Sequence, residues 1–327
     1  RSVIQAEACQ PPKKILSYFG NERKIEVNID DKQKELTRTN EVQIAYHFPY
    51  MPAIWASVVT GDSSFFWKIH KQTPKIPDTA SWAVFLRVHD ELTLEMVNQK
   101  TREILYEDLA EKGAEFRKGY GISGRMANFL DNDVDRINMT FAILLSLKGI
   151  PIIYYGDEIG SQNNFSYAKM WAKIRERRNN KKQDTKMLSY FDSRDIHRGA
   201  IRRNFMYRAM YNKNTFGGKI YKNVKRLIEV RKNYPTMSRG DFVEVKSNKP
   251  EVFTYFRTGT TDKILVVNNL SDSKVYAELN SELFSFDKTE GEITLIDLIT
   301  KKEKNFKIDD KKLVVKLKPY ETLWLSY

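Results

Sequence analysis

The segment that decides the fold is an apolar run that ends in a histidine and an acid, Trp82-Ala83-Val84-Phe85-Leu86-Arg87-Val88-His89-Asp90. A short run without polar alternation is typical of a strand in a parallel sheet that is buried on both faces. Two further runs have the same form. Residues 2–6 precede Glu7, and residues 151–155 precede Gly156-Asp157-Glu158. Each predicted strand therefore places a carboxylate at its C-terminal end, where β/α barrels hold their functional residues.

Helical patterns separate these runs. The spacing of apolar residues predicts helices around 53–60, over 99–112, from Asp135 to Leu147 and from Val224 to Asn233. Lys148-Gly149 stops the third helix, because glycine is a common residue just past a helix end. Residues 21–43 are polar without a clear period and are predicted to be an inserted loop. Alternating strands and helices predict an α/β barrel.

The pattern of apolar and polar residues changes after Gly240. Short β-rich runs such as 252–256, 264–267 and 313–317 alternate with turn residues such as Asn268-Asn269. This pattern predicts an antiparallel β-sandwich. The sequence therefore predicts two domains, a partial barrel over 1–240 and a sandwich over 241–327.

Composition narrows the class of protein. The chain has 327 residues, of which 41% are hydrophobic, enough for a large core. No run approaches the roughly 18 apolar residues of a membrane span, so no membrane partner is predicted. The single cysteine, Cys9, excludes an internal disulfide and predicts a cytoplasmic location. The first residues, Arg1-Ser2-Val3, already read as a strand without an initiator methionine, so we expect an upstream part.

The positive charge is concentrated in one segment. Residues 168–240 contain 21 lysines and arginines against 5 acidic residues, while the whole chain carries +13. Such an excess can bind nucleic acid or anionic sugars. The segment has no zinc-finger spacing and no RNA-binding motif, so a solvated basic surface is predicted and no nucleic-acid partner.

Several motifs in fixed order carry a family resemblance. They are Ala6-Glu7-Ala8, Tyr18-Phe19-Gly20, His47-Phe48-Pro49, Gln72 to Pro77, Phe85 to Val97, Leu130 to Asp133 and Gly149 to Gly160. Together they resemble the α-amylase superfamily, glycoside hydrolase family 13, and within it the trehalose synthases. The resemblance is dense over residues 1–165 and sparser in the sandwich. It implies that the chain holds strands five to eight, the C-terminal half of a (β/α)8 TIM barrel, followed by the antiparallel β-sandwich.

The resemblance also implies roles for individual residues. Glu7, at the end of the fifth strand, would be the general acid/base. Asp90, after the seventh strand, would bind sugar hydroxyls and stabilise the transition state. His89 would donate to the same sugar, and Arg87 and Phe48 complete the predicted substrate-binding residues. Asp157 and Glu158 are predicted to hold a loop.

The chain departs from the family pattern at two points. Val88 stands where the family usually has asparagine before the His-Asp pair. The nucleophilic aspartate of the family lies on the fourth strand, so none is predicted in this chain. Arg194-Asp195 is the nearest look-alike and is predicted to belong to a substrate-side or structural loop. No cofactor or metal is predicted in this chain. The family's calcium sites lie mostly on upstream loops, so the resemblance implies that calcium, if the complete enzyme binds it, is held there.

Two classes of function stay open at this point. The first is a retaining α-glucoside enzyme, with maltose, trehalose or other α-glucosides as substrates. Isomerisation of maltose to trehalose is preferred, and hydrolysis by an α-glucosidase or α-amylase is the alternative. The second is a catalytically silent truncated or assembly piece, whose partner would be the missing N-terminal half or a second copy. Half a barrel has two unpaired sheet edges, which favour association.

Overall fold

We analysed a computed structural model of the chain, which describes residues 2–29, 32–179, 190–260, 262–285 and 290–327. The chain divides into two compact units. Unit 1 comprises Arg1–Leu86, Met139–Ile152 and Arg226–Tyr327, and unit 2 comprises Arg87–Asn138 and Ile153–Lys225.

The helices and strands of the described residues have the following bounds. The α-helices are α1 (Pro12–Ile15), α2 (Tyr50–Thr60), α3 (Ser64–His70), α4 (Gln99–Leu109), α5 (Met126–Phe129), α6 (Val134–Ser146), α7 (Phe165–Asn179), α8 (Arg203–Tyr211), α9 (Phe216–Asn233) and α10 (Pro235–Arg239). The strands of the first two-thirds are β1 (Gln5–Ala6), β2 (Arg23–Ile29), β3 (Lys32–Arg38), β4 (Ile44–Tyr46), β5 (Ser81–Phe85), β6 (Leu92–Thr93), β7 (Ala114–Arg117), β8 (Gly121–Ser123) and β9 (Ile150–Ile152). Those that follow are β10 (Asp241–Glu244), β11 (Lys246–Ser247), β12 (Val252–Thr258), β13 (Lys263–Asn269), β14 (Val275–Asn280), β15 (Gly291–Asp297), β16 (Lys302–Asp309), β17 (Lys312–Leu317) and β18 (Thr322–Ser326).

A parallel sheet in unit 1 contains the strands that the apolar runs predict. Its order is β1-β4-β5-β9, and every neighbouring pair is parallel. β5 in the middle is almost wholly buried, as predicted. The edge strands are not: Val3 and Ile4 before β1 are 62% and 56% exposed, and Ile150 in β9 is 39% exposed. The prediction of complete burial was wrong for these edges, because an edge strand has a neighbour on one side only.

The C-terminal part of unit 1 is the predicted β-sandwich. Nine strands pair antiparallel in the order β10-β12-β13-β18-β15-β16-β17-β14-β11. Their inward residues form one hydrophobic core that includes Phe256, Leu265, Val315 and Leu325. The alternation in β14, where Val275, Ala277 and Leu279 are buried, is the period of a strand with one solvated face.

The described residues of unit 2 form mainly helices and one small sheet. β6, β8 and β7 pair antiparallel in that order, which was not predicted. A 3₁₀ helix over Ser193–His197 follows along the chain, and Ser193, Asp195 and His197 in it are buried. This 3₁₀ helix carries Arg194 and ends at the C-cap Arg198.

Two segments differ from the sequence prediction. Residues 21–43 contain the antiparallel hairpin β2-β3 and not a loop. The helix predicted to begin at Val224 begins at Phe216 and includes Gly217 and Gly218. A Cβ at Gly217 would lie 2.5 Å from the Ile159 carbonyl oxygen, so close packing explains a residue that disfavours helix.

Candidate active site

The predicted acid/base, Glu7, directly follows β1 in unit 1. β1 pairs in parallel with β4, with Gln5 opposite Ile44 and Ala6 opposite Ala45, so the residue after Ala6 stands at the C-terminal edge of the sheet. Glu7 is exposed. The pKa of the nearby Tyr46 hydroxyl is raised, first by burial and then by the negative charge of Glu7. Glu7 is thus an accessible carboxylate at a strand end, as an acid/base residue requires.

Phe48 lies within an aromatic cluster of the same unit. It is 8% exposed, stacks on Tyr46 with ring centroids 5.8 Å apart, and meets Phe85 edge-on at 5.3 Å. Burial on this scale favours a packing role for Phe48. A direct contact of its ring with sugar therefore stays a prediction.

His47, the neighbour of Phe48, is completely buried and held by both ring nitrogens. Nε2 lies 2.9 Å from Thr73 Oγ1, and Nδ1 accepts the Tyr50 backbone N–H at 3.2 Å. Burial lowers the pKa of His47 to about 3. A neutral His47 thus fixes the turn between β4 and α2.

Arg87 is buried in unit 2 beside an acid that is 70 residues away along the chain. Its Nη1 lies 3.1 Å from Asp157 Oδ2, and the two side chains are 2% and 3% exposed. Arg125 lies 3.3 Å from the other oxygen of Asp157 and donates to the Tyr155 carbonyl. The predicted loop-holding role of Asp157 agrees with these contacts. They also favour a structural role for Arg87, whose contact with substrate stays a prediction.

His89 and Asp90, in contrast, are accessible in unit 2. Their side chains are 54% and 40% exposed, and His89 Nε2 lies 3.3 Å from Asp90 Oδ2. The other oxygen, Oδ1, accepts from Arg198 Nη2 at 2.6 Å and from Arg194 Nη1 at 3.3 Å. The Nε of Arg198 also donates to the His89 carbonyl at 2.8 Å. Asp90 is therefore held by two arginines and remains open to solvent.

The segment that supplies these arginines is firmly anchored. Asp192 caps the 3₁₀ helix by accepting the Arg194 backbone N–H at 3.0 Å. The Ser193 hydroxyl lies 3.0 Å from that of Ser123, and Asp195 pairs with Arg175 at 2.6 Å. The backbone thus presents Arg198 in one direction. The prediction of a substrate-side or structural loop around Arg194-Asp195 agrees with this position.

His197 lies in the same segment among cations. It is 1% exposed, and its pKa is lowered to about 2 by burial and then by Arg87, Arg125, Arg198 and Arg194. A proton on this imidazole would add a further charge to a buried positive region. His197 is therefore neutral at physiological pH.

Arg125 and Arg198 were not predicted from the sequence as members of the site. Both lie outside the apolar runs that drew attention to strand ends. The spacing Arg194-x-x-x-Arg198, with an acid at Asp192, was a usable signal, because it places two guanidiniums on one short segment.

Family comparisons agree with this architecture. Residues 122–240 match the family model of the α-amylase catalytic domain, and residues 242–324 match that of the maltogenic amylase C-terminal domain. The trehalose synthase/amylase TreS of Mycolicibacterium smegmatis is 32% identical over 295 residues, which are 85% of this chain and 46% of that protein. The chain belongs to the α-amylase family. The resemblance inferred from the sequence motifs is therefore confirmed.

Other relatives extend this result. The trehalose synthase of Pimelobacter sp. is 32% identical over 289 residues, covering 82% of this chain and 46% of that protein. The Thermus thermophilus trehalose synthase is 39% identical over 162 residues, covering 50% of this chain and 15% of that protein. This member of the α-amylase family thus spans about half the length of the TreS and Pimelobacter relatives.

Solved structures share the fold at low identity. The α-amylase of H. orenii aligns with a TM-score of 0.56 at 16% identity, covering 99% of this chain and 53% of that one. AmyP in complex with maltose aligns with a TM-score of 0.57 at 15% identity, covering 88% and 50%. The predicted α/β fold, the C-terminal half of a TIM barrel and a β-sandwich, is confirmed. Among the described residues, no helix has the length and apolar character needed to cross a bilayer.

Proposed function

We propose that this chain forms part of a retaining α-glucoside enzyme of trehalose synthase type, which converts maltose to trehalose. The observation that carries the proposal is the match to trehalose synthases over more than four-fifths of the chain. Hydrolysis of α-glucosidic bonds, as by an α-glucosidase or α-amylase, is the alternative within the class. A reducing compartment such as the cytoplasm suits a chain with one cysteine.

The proposed chemistry assigns Glu7 two proton transfers. In the first step Glu7 donates its proton to the glycosidic oxygen as the bond to the anomeric carbon breaks and a carboxylate nucleophile bonds to that carbon. In the second step Glu7 takes a proton from the acceptor hydroxyl, whose oxygen displaces the nucleophile. For isomerisation the acceptor is the anomeric hydroxyl of the released glucose, and for hydrolysis it is water. Two inversions give retention.

Asp90 and His89 are proposed to hold the sugar during both steps. Asp90 accepts hydrogen bonds from ring hydroxyls, and these bonds strengthen as the ring flattens toward an oxocarbenium ion. His89 donates to the same sugar. The accessibility of both side chains supports these roles. We propose that the nucleophile comes from residues other than 1–327, because no Arg-x-Asp motif after a strand occurs among them.

The domain division is proposed as well. A barrel part over 1–240 and a sandwich over 241–327 fit the two family matches, which end at residue 240 and begin at residue 242.

The test compares two preparations on maltose. One preparation is the 327-residue chain alone. The other is the native protein that contains these residues, purified from its source together with any subunits bound to it. Product sugars are followed by NMR. The proposal expects trehalose from the native protein and no turnover by the chain alone. Sustained conversion by the chain alone would place a nucleophile within it, and glucose as the main product would favour the hydrolase. A native protein inactive on every α-glucoside would favour a catalytically silent piece.

A further inference from the structure

We infer that Arg198 is a positioning residue that holds the sugar-binding carboxylate of Asp90 in one orientation. This inference rests on the proposed function of Asp90. The Arg198 guanidinium bridges two acceptors of the His89-Asp90 pair. Nε donates to the His89 backbone carbonyl at 2.8 Å, and Nη2 donates to Asp90 Oδ1 at 2.6 Å. One planar group therefore ties the side chain of Asp90 to the backbone of the preceding residue.

This two-point contact removes freedom that an exposed aspartate would otherwise have. The Asp90 side chain is 40% exposed, so packing alone does not fix its rotamer. If the carboxylate samples several rotamers, substrate binding must order it. The free energy of that ordering reduces the transition-state stabilisation that the carboxylate provides. Arg198 supplies that order before the sugar arrives. A planar guanidinium suits the task because its donors have fixed directions, which an ammonium group lacks.

Arg194 contacts the same oxygen but is held mainly by another acid. Its Nε and Nη2 donate to Asp192 at 3.0 and 2.9 Å, whereas its Nη1 lies 3.3 Å from Asp90. The longer distance and the prior engagement with Asp192 make Arg194 the weaker partner of Asp90. Both arginines contact Oδ1, whereas Oδ2 lies 3.3 Å from His89 Nε2. The contact with the sugar is therefore assigned to Oδ2.

The hydrogen bonds that anchor the 3₁₀ helix fix the backbone position of Arg198. Arg198 is the C-cap of that helix, its backbone N–H donates to the Asp195 carbonyl, and the carbonyl of Ile196 accepts from Asn164 at 2.7 Å. Removal of the guanidinium alone therefore leaves the segment in place. We therefore expect the substitution to remove the contact with Asp90 and to leave the fold of unit 2 intact.

The experiment uses Arg198→Lys and Arg198→Ala in the native protein, with Arg203→Ala as the matched control. Arg203 is an exposed arginine at the start of α8. We expect kcat for maltose to fall about 100-fold in Arg198→Ala with little change in KM, because the loss is in the transition state. We also expect added guanidinium ion to restore part of kcat in Arg198→Ala, Arg198→Lys to stay impaired, and Arg203→Ala to match wild type.

Three outcomes would overturn the inference. The first is full activity in Arg198→Ala. The second is a fall in kcat that follows a lower unfolding temperature and that guanidinium does not restore, which would indicate a purely structural arginine. The third is an increase in KM alone, which would indicate uniform substrate binding.

A second measurement separates this inference from the proposed function. In the nitrogen-15 labelled native protein, we expect the arginine Nε–H signal that disappears in Arg198→Lys to be protected from solvent exchange in wild type and shifted in Asp90→Asn. A protected signal in a wild-type protein without any α-glucoside activity would refute the proposed function while leaving the contact in place. Activity without such a protected signal would refute the contact itself.

Discussion

Arg87 and Asp157 form a buried ion pair in which one carboxylate serves two guanidiniums. Arg87 Nη1 lies 3.1 Å from Oδ2, and Arg125 Nη1 lies 3.3 Å from Oδ1. The ring of Tyr154 lies under both cations, 4.5 and 5.1 Å from their central carbons. Loss of the Asp157 charge therefore removes a counter-charge from both arginines. Loss of one arginine still leaves Asp157 paired with the other.

This asymmetry predicts unequal costs of substitution. Asp157→Asn leaves two buried guanidiniums without that charge, and we expect a loss of about 3–5 kcal/mol in the free energy of unfolding. Arg87→Met leaves Asp157 paired with Arg125, so its cost should be smaller. Denaturant titration gives both values, with Lys24→Met as control. Lys24 pairs with Glu35 on the surface, where a pair contributes about 0–1 kcal/mol. An equal loss in the two buried variants would contradict the shared-carboxylate account.

His197 predicts a pH dependence of stability. Its pKa is about 2 in the folded protein, while an unfolded histidine titrates near 6.5. Between these values the unfolded chain binds a proton that the folded chain does not, so stability falls as pH falls. We expect the contribution of His197 to be complete above about pH 6.5 and to decrease by about 1.4 kcal/mol per pH unit well below it.

The substitution His197→Gln isolates this contribution from the other titrating groups. The free energy of unfolding of wild type and variant is measured between pH 7.5 and 5, values chosen to bracket the unfolded pKa of about 6.5. The wild-type curve should be the steeper of the two. Parallel curves would mean that His197 becomes protonated in the folded protein.

Arg257 predicts a stability effect in unit 1. It is fully buried in β12 and donates to the carbonyls of Ser146, Met237 and Gly240 at 2.7, 2.5 and 2.9 Å. Burial lowers its pKa to about 9, and it stays charged at neutral pH. Arg257→Met removes the guanidinium that donates to all three carbonyls, so we expect a loss of about 3 kcal/mol or more. Exposed Arg239→Met is the matched control, and similar midpoints of chemical unfolding for the two variants would refute this role.

Parts of the fold follow from the sequence because their signals are local. The apolar run from Trp82 predicts β5, and glycine after Lys148 explains why α6 ends. The hairpin β2-β3 had such a signal, the alternation Ile25-Val27, but surrounding charges obscured it. The pairing of parallel strands brings together chain segments that are far apart in sequence. The sequence alone therefore could not distinguish edge strands from central strands of the sheet.

The site was predictable only where a motif lies on one segment. Glu7 and His89-Asp90 each stand at the end of an apolar run. The contact of Asp90 with Arg198 joins residues 108 apart, and that of Arg87 with Asp157 joins residues 70 apart. Such pairs are set by tertiary packing, which composition and periodicity do not contain. The position of Arg87 beside the His-Asp motif predicts substrate binding, whereas its burial against Asp157 depends on tertiary packing.

The basic segment predicts weak and nonspecific binding of nucleic acid. Residues 168–240, which the structure describes outside 180–189, include Arg175, Arg194 and Arg198, all already paired with acids. At about 0.15 M salt the Debye length is about 8 Å, so a merely basic surface is largely screened. Titration with labelled duplex and single-stranded DNA should show no submicromolar, sequence-selective binding. Such binding, with a steep linear salt dependence on logarithmic scales, would reveal a second function.

Glu7→Gln in the native protein tests the central claim most directly. Initial rates are measured with maltose and with an aryl α-glucoside whose leaving group needs no proton. If Glu7 is the general acid, the variant should lose turnover of maltose and still release the aryl group in the first half-reaction as a burst, because the sugar remains on the nucleophile. The matched control Glu22→Gln changes an exposed glutamate nearby in the sequence and should behave as wild type. Equal loss with both substrates, or full activity on maltose, would contradict the assignment of Glu7 as the acid.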